Sequence, residues 1–286
     1  MIYLSEFTFP SKDEENGFFV GILETCYTSF YPFGVLSGHS LGEIKFGGIT
    51  LLYGGNGSGK TTALNVIAEA LGLERSTLYN RSSFFEKYIE YCDYRLEKRI
   101  PLGSRIITSD DVFDYMLDLR SLNQSIDYKC EDVFEEYTEN KYGTDFRLNS
   151  MEDFEKLKAI NKARRLSKSE YTRRRLVNNV KEHSNGESAF LYFSDKIREN
   201  RLYLLDEPEN SLSPEKQLDL CSFLEDSARF FGCQFIVSTH SPFLLSMNGA
   251  VIYDLDSEKV CRRKWTELPN VRTYYRFFKK YEKEFE

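Results

Sequence analysis

The stretch Gly54-Gly55-Asn56-Gly57-Ser58-Gly59-Lys60-Thr61-Thr62 decides the fold of this chain. It matches the pattern G-x-x-x-x-G-K-[ST], and it has the flanks that this pattern requires. Residues 49–53 before it form an apolar, β-branched run of strand length, and residues 62–71 after it place apolar side chains on one helical face. The sequence therefore predicts a strand, a glycine-rich loop and a helix in this order.

The residue types of this loop predict that it binds phosphate groups. Glycines let the backbone bend around an anion, so that several N–H groups and the positive end of the helix dipole converge on it. Lys60 would reach the β- and γ-phosphates of a nucleotide, and the Thr61 hydroxyl would ligate Mg²⁺. The alternative is a glycine-rich turn without a ligand, which the Gly-Lys-Thr spacing between a strand and a helix disfavours. We expect residues 54–62 to bind a nucleotide.

Composition limits the classes of protein to consider. The chain has 286 residues, enough for one large or two small domains, and 38 Lys and Arg against 45 Asp and Glu give it a net charge of −7. It thus lacks the uniform basic character of a dedicated nucleic-acid binder, although a local patch can still bind. The six cysteines are scattered without a C-x-x-C pair, which favours a reducing cytoplasm. Without a signal peptide or a long apolar run, no membrane insertion is expected.

The first hundred residues predict strands followed by a helix. Tyr3–Phe9 and Gly17–Leu23 have the apolar density of strands, and residues 74–100 have a mixed-charge helical pattern. Between them lies a group of aromatic residues, one of which could stack on a nucleotide base, although packing in the core is favoured for each of them. These aromatic residues are Tyr27, Phe30, Tyr31 and Phe33.

Residues 111–182 predict a largely helical insert with two blocks of charge. Residues 127–139 are acidic and residues 156–181 are basic. A solvated helical arm with compensating charges is the favoured interpretation. A basic strip for nucleic acid or for an acidic partner is the alternative, although no aromatic residues are spaced along it to stack on bases.

Acidic residues follow a second strand of the buried type. Residues 202–205 are four consecutive apolar residues, and Asp206 and Glu207 come directly after them, where ligands bind in open α/β sheets. Asp206 would hold Mg²⁺ through its water shell, and Glu207 would orient and deprotonate a water that attacks the γ-phosphate. An acidic turn without this role is the alternative, and the phosphate-binding loop makes it the less favoured one.

Two further strand ends carry candidate site residues. His240 follows the strand 234–239, and we expect it to donate a hydrogen bond to the γ-phosphate rather than to be only structural. Asp110 follows the strand Arg105–Thr108, where it would contact a metal-bound phosphate or, equally well, help to cap the helix that comes next.

In this order, the motifs resemble those of the ATP-binding-cassette (ABC) ATPases, in the branch of the heads of structural-maintenance-of-chromosomes (SMC) and RecF proteins and of small stand-alone ATPases. The loop resembles Walker A, residues 202–207 resemble Walker B with the catalytic Glu, residues 211–213 resemble the D-loop, and His240 resembles the switch histidine. The segment Ser184-Asn185-Gly186-Glu187-Ser188 is similar to the family signature, although alone it also reads as a turn with a helix cap.

The resemblance implies a fold and an activity. The expected fold class is α/β, a P-loop NTPase of the ABC-ATPase head type with a mostly parallel sheet, an N-terminal antiparallel β part and a helical insert. Residues 1–110 and 183–286 would form one ATPase core, interrupted by the insert at 111–182. No glutamine loop is evident, because Gln124 does not follow a strand, and Asp110 would stand in its place near Mg²⁺.

It also implies partners. The signature residues Ser184, Gly186 and Glu187 of one copy would close over the ATP that a second copy holds, so a homodimer on ATP binding is expected. The output would act on a protein effector, with nucleic acid as a further candidate partner, in DNA maintenance or anti-phage defence. The alternatives are the ATP-binding subunit of a membrane transporter and a nucleic-acid-binding module that depends on ATP.

Overall fold

A computed structural model describes residues 1–22, 26–39, 41–143, 153–173, 185–257 and 259–286. The chain divides into two compact units, each of which is described by itself. The first unit contains Met1–Phe113 and Ser184–Glu286, and the second contains Asp114–His183. The phosphate-binding loop and the acidic strand end both belong to the first unit.

A six-stranded sheet forms the centre of the first unit. Its strands are β3 (Ile49–Tyr53), β5 (Arg105–Thr108), β6 (Leu202–Asp206), β7 (Gln234–Thr239), β8 (Val251–Asp254) and β9 (Cys261–Arg262), in the order β5-β6-β7-β3-β8-β9. All neighbouring strands are parallel except β9, which pairs antiparallel with β8. All residues of β3, β6 and β7 are buried, which agrees with the apolar and β-branched residues that dominate these strands.

A small antiparallel sheet lies beside the central one. Its strands are β1 (Leu4–Thr8), β2 (Glu43–Lys45) and β4 (Asp93–Leu96), in the order β2-β1-β4. Buried side chains from both sheets, such as Phe7, Ile44 and Leu204, share one hydrophobic core. The predicted fold class, an α/β fold with a mostly parallel sheet and an N-terminal antiparallel part, is confirmed.

The side chain of Gln234 joins the two sheets. Gln234 begins β7 and is fully buried. Its Oε1 accepts hydrogen bonds from the backbone N–H groups of Tyr3 (2.7 Å) and Leu4 (3.0 Å), and its Nε2 donates to the carbonyls of Leu4 (2.7 Å) and Gly47 (3.0 Å). One side-chain amide thereby makes four hydrogen bonds to the backbone of Tyr3, Leu4 and Gly47.

Helices cover the central sheet and connect its strands. α2 packs on β5, β6 and β7, and α8 packs on β7. Ser213 caps α8 and Pro214 is its first residue, as the sequence predicts. The α-helices among the described residues are α1 (Lys12–Gly21), α2 (Lys60–Ala70), α3 (Phe85–Ile89), α4 (Ser109–Tyr142), α5 (Asp153–Arg165), α6 (Lys168–Arg173), α7 (Asn185–Lys196), α8 (Pro214–Phe230), α9 (Pro242–Leu245) and α10 (Pro269–Lys280).

Two predictions for the first hundred residues are wrong. The predicted strand Gly17–Leu23 is part of helix α1 as far as Gly21, because Ser11 and Glu14 form a capping box that starts a helix there. The predicted helix over residues 74–100 is reduced to the short α3, and residues 93–96 form β4 instead. β4 is decided by its pairing with β1, nearly ninety residues away in the sequence.

The second unit consists of the larger part of α4 with α5 and α6. Tyr137, Ala163 and Tyr171 form its buried cluster, and the Tyr137 hydroxyl donates to the carbonyl of Leu166 (3.1 Å). The acidic block 127–139 lies on α4. Part of the basic block lies outside the described residues. That this unit acts as a separate insert remains a prediction, with the boundaries of 111–182.

A helix that crosses a membrane must be both long and apolar. None of the described helices combines the length and the apolar character that would let it cross a membrane.

Candidate functional site

The glycine-rich loop turns between β3 and α2. Gly57 and Gly59 have φ of 84° and 87°, the left-handed region that glycine adopts without strain. A Cβ on Gly54 would lie on the Ser58 side chain, 2.8 Å from its Cβ, so the loop closes only with glycine there. The loop surrounds a cavity of about 470 Å³, which is lined by Asn56–Thr62 with Val35 and Glu207.

Lys60 is buried at the start of α2 and turned towards the loop. Its Nζ donates to the carbonyls of Gly54 (2.7 Å) and Gly55 (2.9 Å), and it lies 3.3 Å from Glu207 Oε1. The cation therefore joins the loop to the acidic end of β6. A phosphate bound in the loop would meet a lysine that is already at this position.

The carboxylate of Asp206 lies at the end of β6, beside the start of helix α2. Its Oδ1 accepts hydrogen bonds from the hydroxyls of Thr61 (3.1 Å) and Ser238. Burial raises the pKa of Asp206, and the two hydroxyl hydrogen bonds counteract only part of this effect. A buried carboxylate beside a hydroxyl is an all-oxygen donor set of the kind that Mg²⁺ prefers, and its charge would favour a cation. Thr61 and Asp206 thus fit the predicted Mg²⁺.

The raised pKa of Asp206 leads to a stability prediction. A raised folded pKa means that stability is full below the unfolded pKa and is lost as the pH rises through the folded pKa, so the charged carboxylate costs stability at neutral pH. In Asp206→Asn the amide oxygen can still accept from Thr61 and Ser238. We expect its Tm without nucleotide, measured by differential scanning fluorimetry at pH 7.5, to equal that of the wild type or to be higher by up to about 2–4 °C.

The same variant should lose the stabilisation that Mg²⁺ with ATP gives the wild type. The exposed Asp226→Asn is the matched control, and we expect it to behave like the wild type in both measurements. A clearly lower Tm for Asp206→Asn without nucleotide would show that its charge does not oppose folding, contrary to this prediction.

Glu207 follows Asp206 in a strained backbone conformation. Its φ of 46° and ψ of 55° are in the left-handed region, and its N–H donates to the carbonyl (3.1 Å) and hydroxyl (3.0 Å) of Ser238. Asn210 Nδ2 donates to Glu207 Oε2 (3.1 Å). Burial alone would raise the pKa of Glu207, but Asn210, Lys60 and His240 outweigh it and the pKa is lowered. The carboxylate is therefore ionised at neutral pH and faces the loop cavity.

His240 lies near two carboxylates after the end of β7. Its Nδ1 is 3.7 Å from Glu207 Oε1 and 3.4 Å from Glu209 Oε1, and its side chain is 41% exposed. The predicted residues Lys60, Glu207 and His240 thus lie together, although they come from three separate parts of the sequence. Their roles in catalysis remain predictions.

The signature segment is described only in part. Ser184 lies outside the described residues, whereas Gly186 and Glu187 lie in the first turn of α7. A Cβ on Gly186 would meet the backbone of Ser211 and Ser213 at 3.8 and 3.6 Å, so the start of α7 approaches the predicted D-loop. No described residue of α7 lines the loop cavity of its own chain.

Asp110 lies in the first turn of α4 with its side chain exposed. Its neighbour Asp111 is buried, and Asp111 Oδ2 accepts from the N–H (2.7 Å) and hydroxyl (3.0 Å) of Thr108. Thr108 and Asp111 therefore make the reciprocal contacts of a helix start. A metal-binding role for Asp110 remains a prediction. Gln124 lies within α4 and donates to the Tyr128 hydroxyl (3.2 Å).

Of the four aromatic residues considered for stacking on a nucleotide base, Tyr31 contacts helix α2. Its hydroxyl donates to the Thr62 hydroxyl (3.1 Å). Phe33 is buried and stacks on Phe18 with ring centroids 3.9 Å apart, which is core packing. Tyr27 and Phe30 pack on Phe84 instead.

Two acidic residues of this site were not predicted from the sequence. The Asp256 carboxylate accepts from the Gly55 N–H with both oxygens (3.0 and 2.8 Å), and so it holds the first half of the loop. Glu209 accepts from the chain that follows β7. A signal for Asp256 exists, because acidic residues follow the apolar strand β8, as they follow β6.

Comparison with known proteins gives a family match for part of the chain. Residues 133–246 match the family described as "AAA domain, putative AbiEii toxin, Type IV TA system". No curated protein has a significant match to the chain. The family match, together with the loop and the acidic end of β6, confirms the resemblance to the ABC-type ATPases.

Several solved structures are similar to this chain. The Smc head domain from Pyrococcus furiosus, solved with an extended coiled coil and bound to the C-terminal domain of ScpA, has 14% identity and a TM-score of 0.45, covering 96% of this chain and 100% of that one. The SMC head domain from Thermotoga maritima has 14% identity and a TM-score of 0.41, covering 92% and 99%. A nucleotide-free ATP-binding cassette from an ABC transporter has 16% identity and a TM-score of 0.40, covering 83% and 92%.

Proposed function

We propose that this protein binds ATP with Mg²⁺ and hydrolyses it to ADP and phosphate. The observation that carries the proposal is the meeting of the loop with the end of β6, where Thr61 contacts Asp206 and Lys60 contacts Glu207. These pairs bring together a phosphate-binding loop, an oxygen site for Mg²⁺ and an ionised carboxylate, which are the components of phosphoryl transfer.

Each side chain has a role in this proposal. Lys60 and the loop N–H groups would bind the β- and γ-phosphates. Thr61 and Asp206 would hold Mg²⁺, which would neutralise phosphate charge when bound. Glu207 would accept a proton from the attacking water, and its lowered pKa keeps it ionised for this task. His240 would donate a hydrogen bond to the γ-phosphate.

We further propose that two copies close head to tail around two ATP molecules. The start of α7, with Gly186 and Glu187, lies at the predicted D-loop and outside the cavity of its own chain, so a second copy would have to supply a signature to that cavity. The N-terminus of a helix suits this role because its free N–H groups bind anions. Asp110 would contact Mg²⁺ or the γ-phosphate in the closed state.

The biological output proposed here is the gating of a partner. The matched family is described with the words "putative AbiEii toxin, Type IV TA system", and we propose that ATP controls an effector protein or its access to nucleic acid. Anti-phage defence and DNA maintenance are the proposed settings. A cytoplasmic location would suit either of them.

The experiment that tests the proposed function compares the wild type with Lys60→Met. We expect the wild type to release phosphate from Mg²⁺ and ATP and to double its mass in light scattering when ATP is added. Lys60→Met should bind nucleotide roughly 10- to 100-fold more weakly, because a charged hydrogen-bond donor is lost. Lys45→Met removes an exposed lysine and should leave both properties unchanged. A wild type that neither binds nor hydrolyses ATP would contradict the proposal.

A further inference from the structure

The side chain of Glu209 is buried beneath the chain that follows β7. Its Oε1 accepts hydrogen bonds from the Thr239 hydroxyl (2.6 Å), the His240 N–H (2.9 Å) and the Ser241 N–H (3.2 Å). The residue is only 6% exposed. One carboxylate oxygen thus holds three consecutive residues, including the one predicted to contact the γ-phosphate.

Two other side chains complete the attachment of this segment. The Ser241 hydroxyl donates to Gln217 Oε1 (2.6 Å), and Asn270 Nδ2 donates to the His240 carbonyl (3.1 Å). The backbone of His240 is therefore held at both its N–H and its carbonyl. The orientation of its imidazole ring is set by other contacts.

Two buried atoms at this place have no hydrogen bond within the described part of the chain. They are His240 Nδ1 and Glu209 Oε2. Nδ1 lies 3.4 Å from the other oxygen of the same carboxylate. A buried polar atom without a partner costs free energy, so a hydrogen bond from an Nδ1–H to this carboxylate would be stabilising.

Glu207 is the competing partner for the ring, but its carboxylate is already engaged. Its Oε1 is 3.7 Å from His240 Nδ1, farther than that of Glu209, and it is 3.3 Å from Lys60 Nζ. Its Oε2 accepts from Asn210. The Glu209 carboxylate, at 3.4 Å, is therefore the nearer of the two acceptors for an Nδ1–H.

We propose that Glu209 is the positioning residue of His240, accepting a hydrogen bond from Nδ1–H and so directing Nε2 towards the γ-phosphate. The role of His240 at the γ-phosphate rests on the proposed function. In this arrangement, Glu209 sets both the backbone position and the ring orientation of the histidine. In a neutral imidazole, the hydrogen bond made by one nitrogen decides which of the two nitrogens carries the proton. An ionised carboxylate can only accept a hydrogen bond, so the nitrogen that faces it carries the proton.

The first test measures which nitrogen of His240 is protonated and needs no ATP. The chain has three histidines, so ¹⁵N-histidine NMR gives few signals to assign, with His240→Gln identifying the one of interest. In the wild type at pH 8 we expect the proton on Nδ1. In Glu209→Gln the amide oxygen can keep the three accepted hydrogen bonds, whereas its NH₂ donates to Nδ1, so the proton should move to Nε2. Identical spectra for the two proteins would overturn the proposal.

The second test is a double-mutant cycle on ATP turnover with Glu209→Ala and His240→Ala. We expect each variant to lower kcat by about 10²-fold while the Kd for a fluorescent ATP analogue changes less than threefold. The double variant should be no slower than His240→Ala alone, because Glu209 acts through the histidine. If the two effects multiply, Glu209 does not act through His240 and the proposal fails.

One control and two further outcomes separate this proposal from its alternatives. Glu215→Gln changes an exposed carboxylate on α8 and should leave kcat and the Tm unchanged. A wild type without ATP turnover would contradict the proposed function but not the NMR result. Wild-type turnover in Glu209→Ala would contradict the positioning role alone.

Discussion

Glu207→Gln is expected to bind ATP without hydrolysing it and to remain dimeric as long as ATP is present. The amide keeps the size of the side chain and can still accept from Asn210, but it cannot take a proton from water. Loss of a general base lowers kcat by roughly 10²- to 10⁴-fold. ATP affinity should be unchanged or higher, because a negative charge no longer faces the γ-phosphate. Phosphate release and light scattering with ATP measure both effects.

The control for this variant is Glu199→Gln, which changes an exposed carboxylate outside the site. It should hydrolyse ATP like the wild type and dissociate as ATP is consumed. Hydrolysis at the wild-type rate by Glu207→Gln would mean that another group activates the water. Loss of ATP binding in the same variant would instead mean that the carboxylate holds Lys60 in place rather than acting as a base.

Among the variants proposed, Gln234→Leu is expected to lower the free energy of unfolding the most. Leucine fills much of the same volume but leaves two N–H groups, of Tyr3 and Leu4, and two carbonyls without these partners in a buried place. Each unpaired buried group costs about 1–3 kcal/mol. We expect the free energy of unfolding to fall by roughly 3–5 kcal/mol, a large part of the 5–15 kcal/mol typical of native proteins.

Urea unfolding followed by circular dichroism measures this loss. Gln124→Leu is the matched control, since Gln124 is exposed on α4, and its effect should stay within about 0.5 kcal/mol. An unfolding midpoint for Gln234→Leu equal to that of the wild type would show that water or a shift of β1 satisfies the four backbone groups.

The central sheet could be predicted from the sequence because its strands are buried on both faces. β3, β6 and β7 are rich in apolar and β-branched residues, and each is followed by or ends in residues of the predicted site: the loop after β3, Asp206 at the end of β6 and His240 after β7. The carboxyl ends of parallel strands lie along one edge of a sheet, so Asp206 and His240 could be expected near the loop that follows β3.

The first hundred residues were harder to predict because their pattern is ambiguous. The aromatic residues of α1 suit a strand by propensity, and only the capping pair Ser11 and Glu14 favours a helix. β4 is exposed along its whole length and depends on pairing with β1, so no periodicity within residues 93–96 indicates it.

By itself, the sequence determined the glycine-rich loop, the acidic strand end and the class of fold, because these depend on local spacing and on strands that are mostly apolar. The tertiary structure alone decided which groups hold them in place. Asp256 reaches the Gly55 N–H across 201 residues, Glu209 reaches the chain after β7 across 30 to 32, and Gln234 reaches β1 across 230. These contacts depend on the register of parallel strands and on burial, which no local pattern encodes. The residues of the loop carry the proposed phosphate binding, whereas Asp256 and Glu207, which contact Gly55 and Lys60 of the loop, come from elsewhere in the chain.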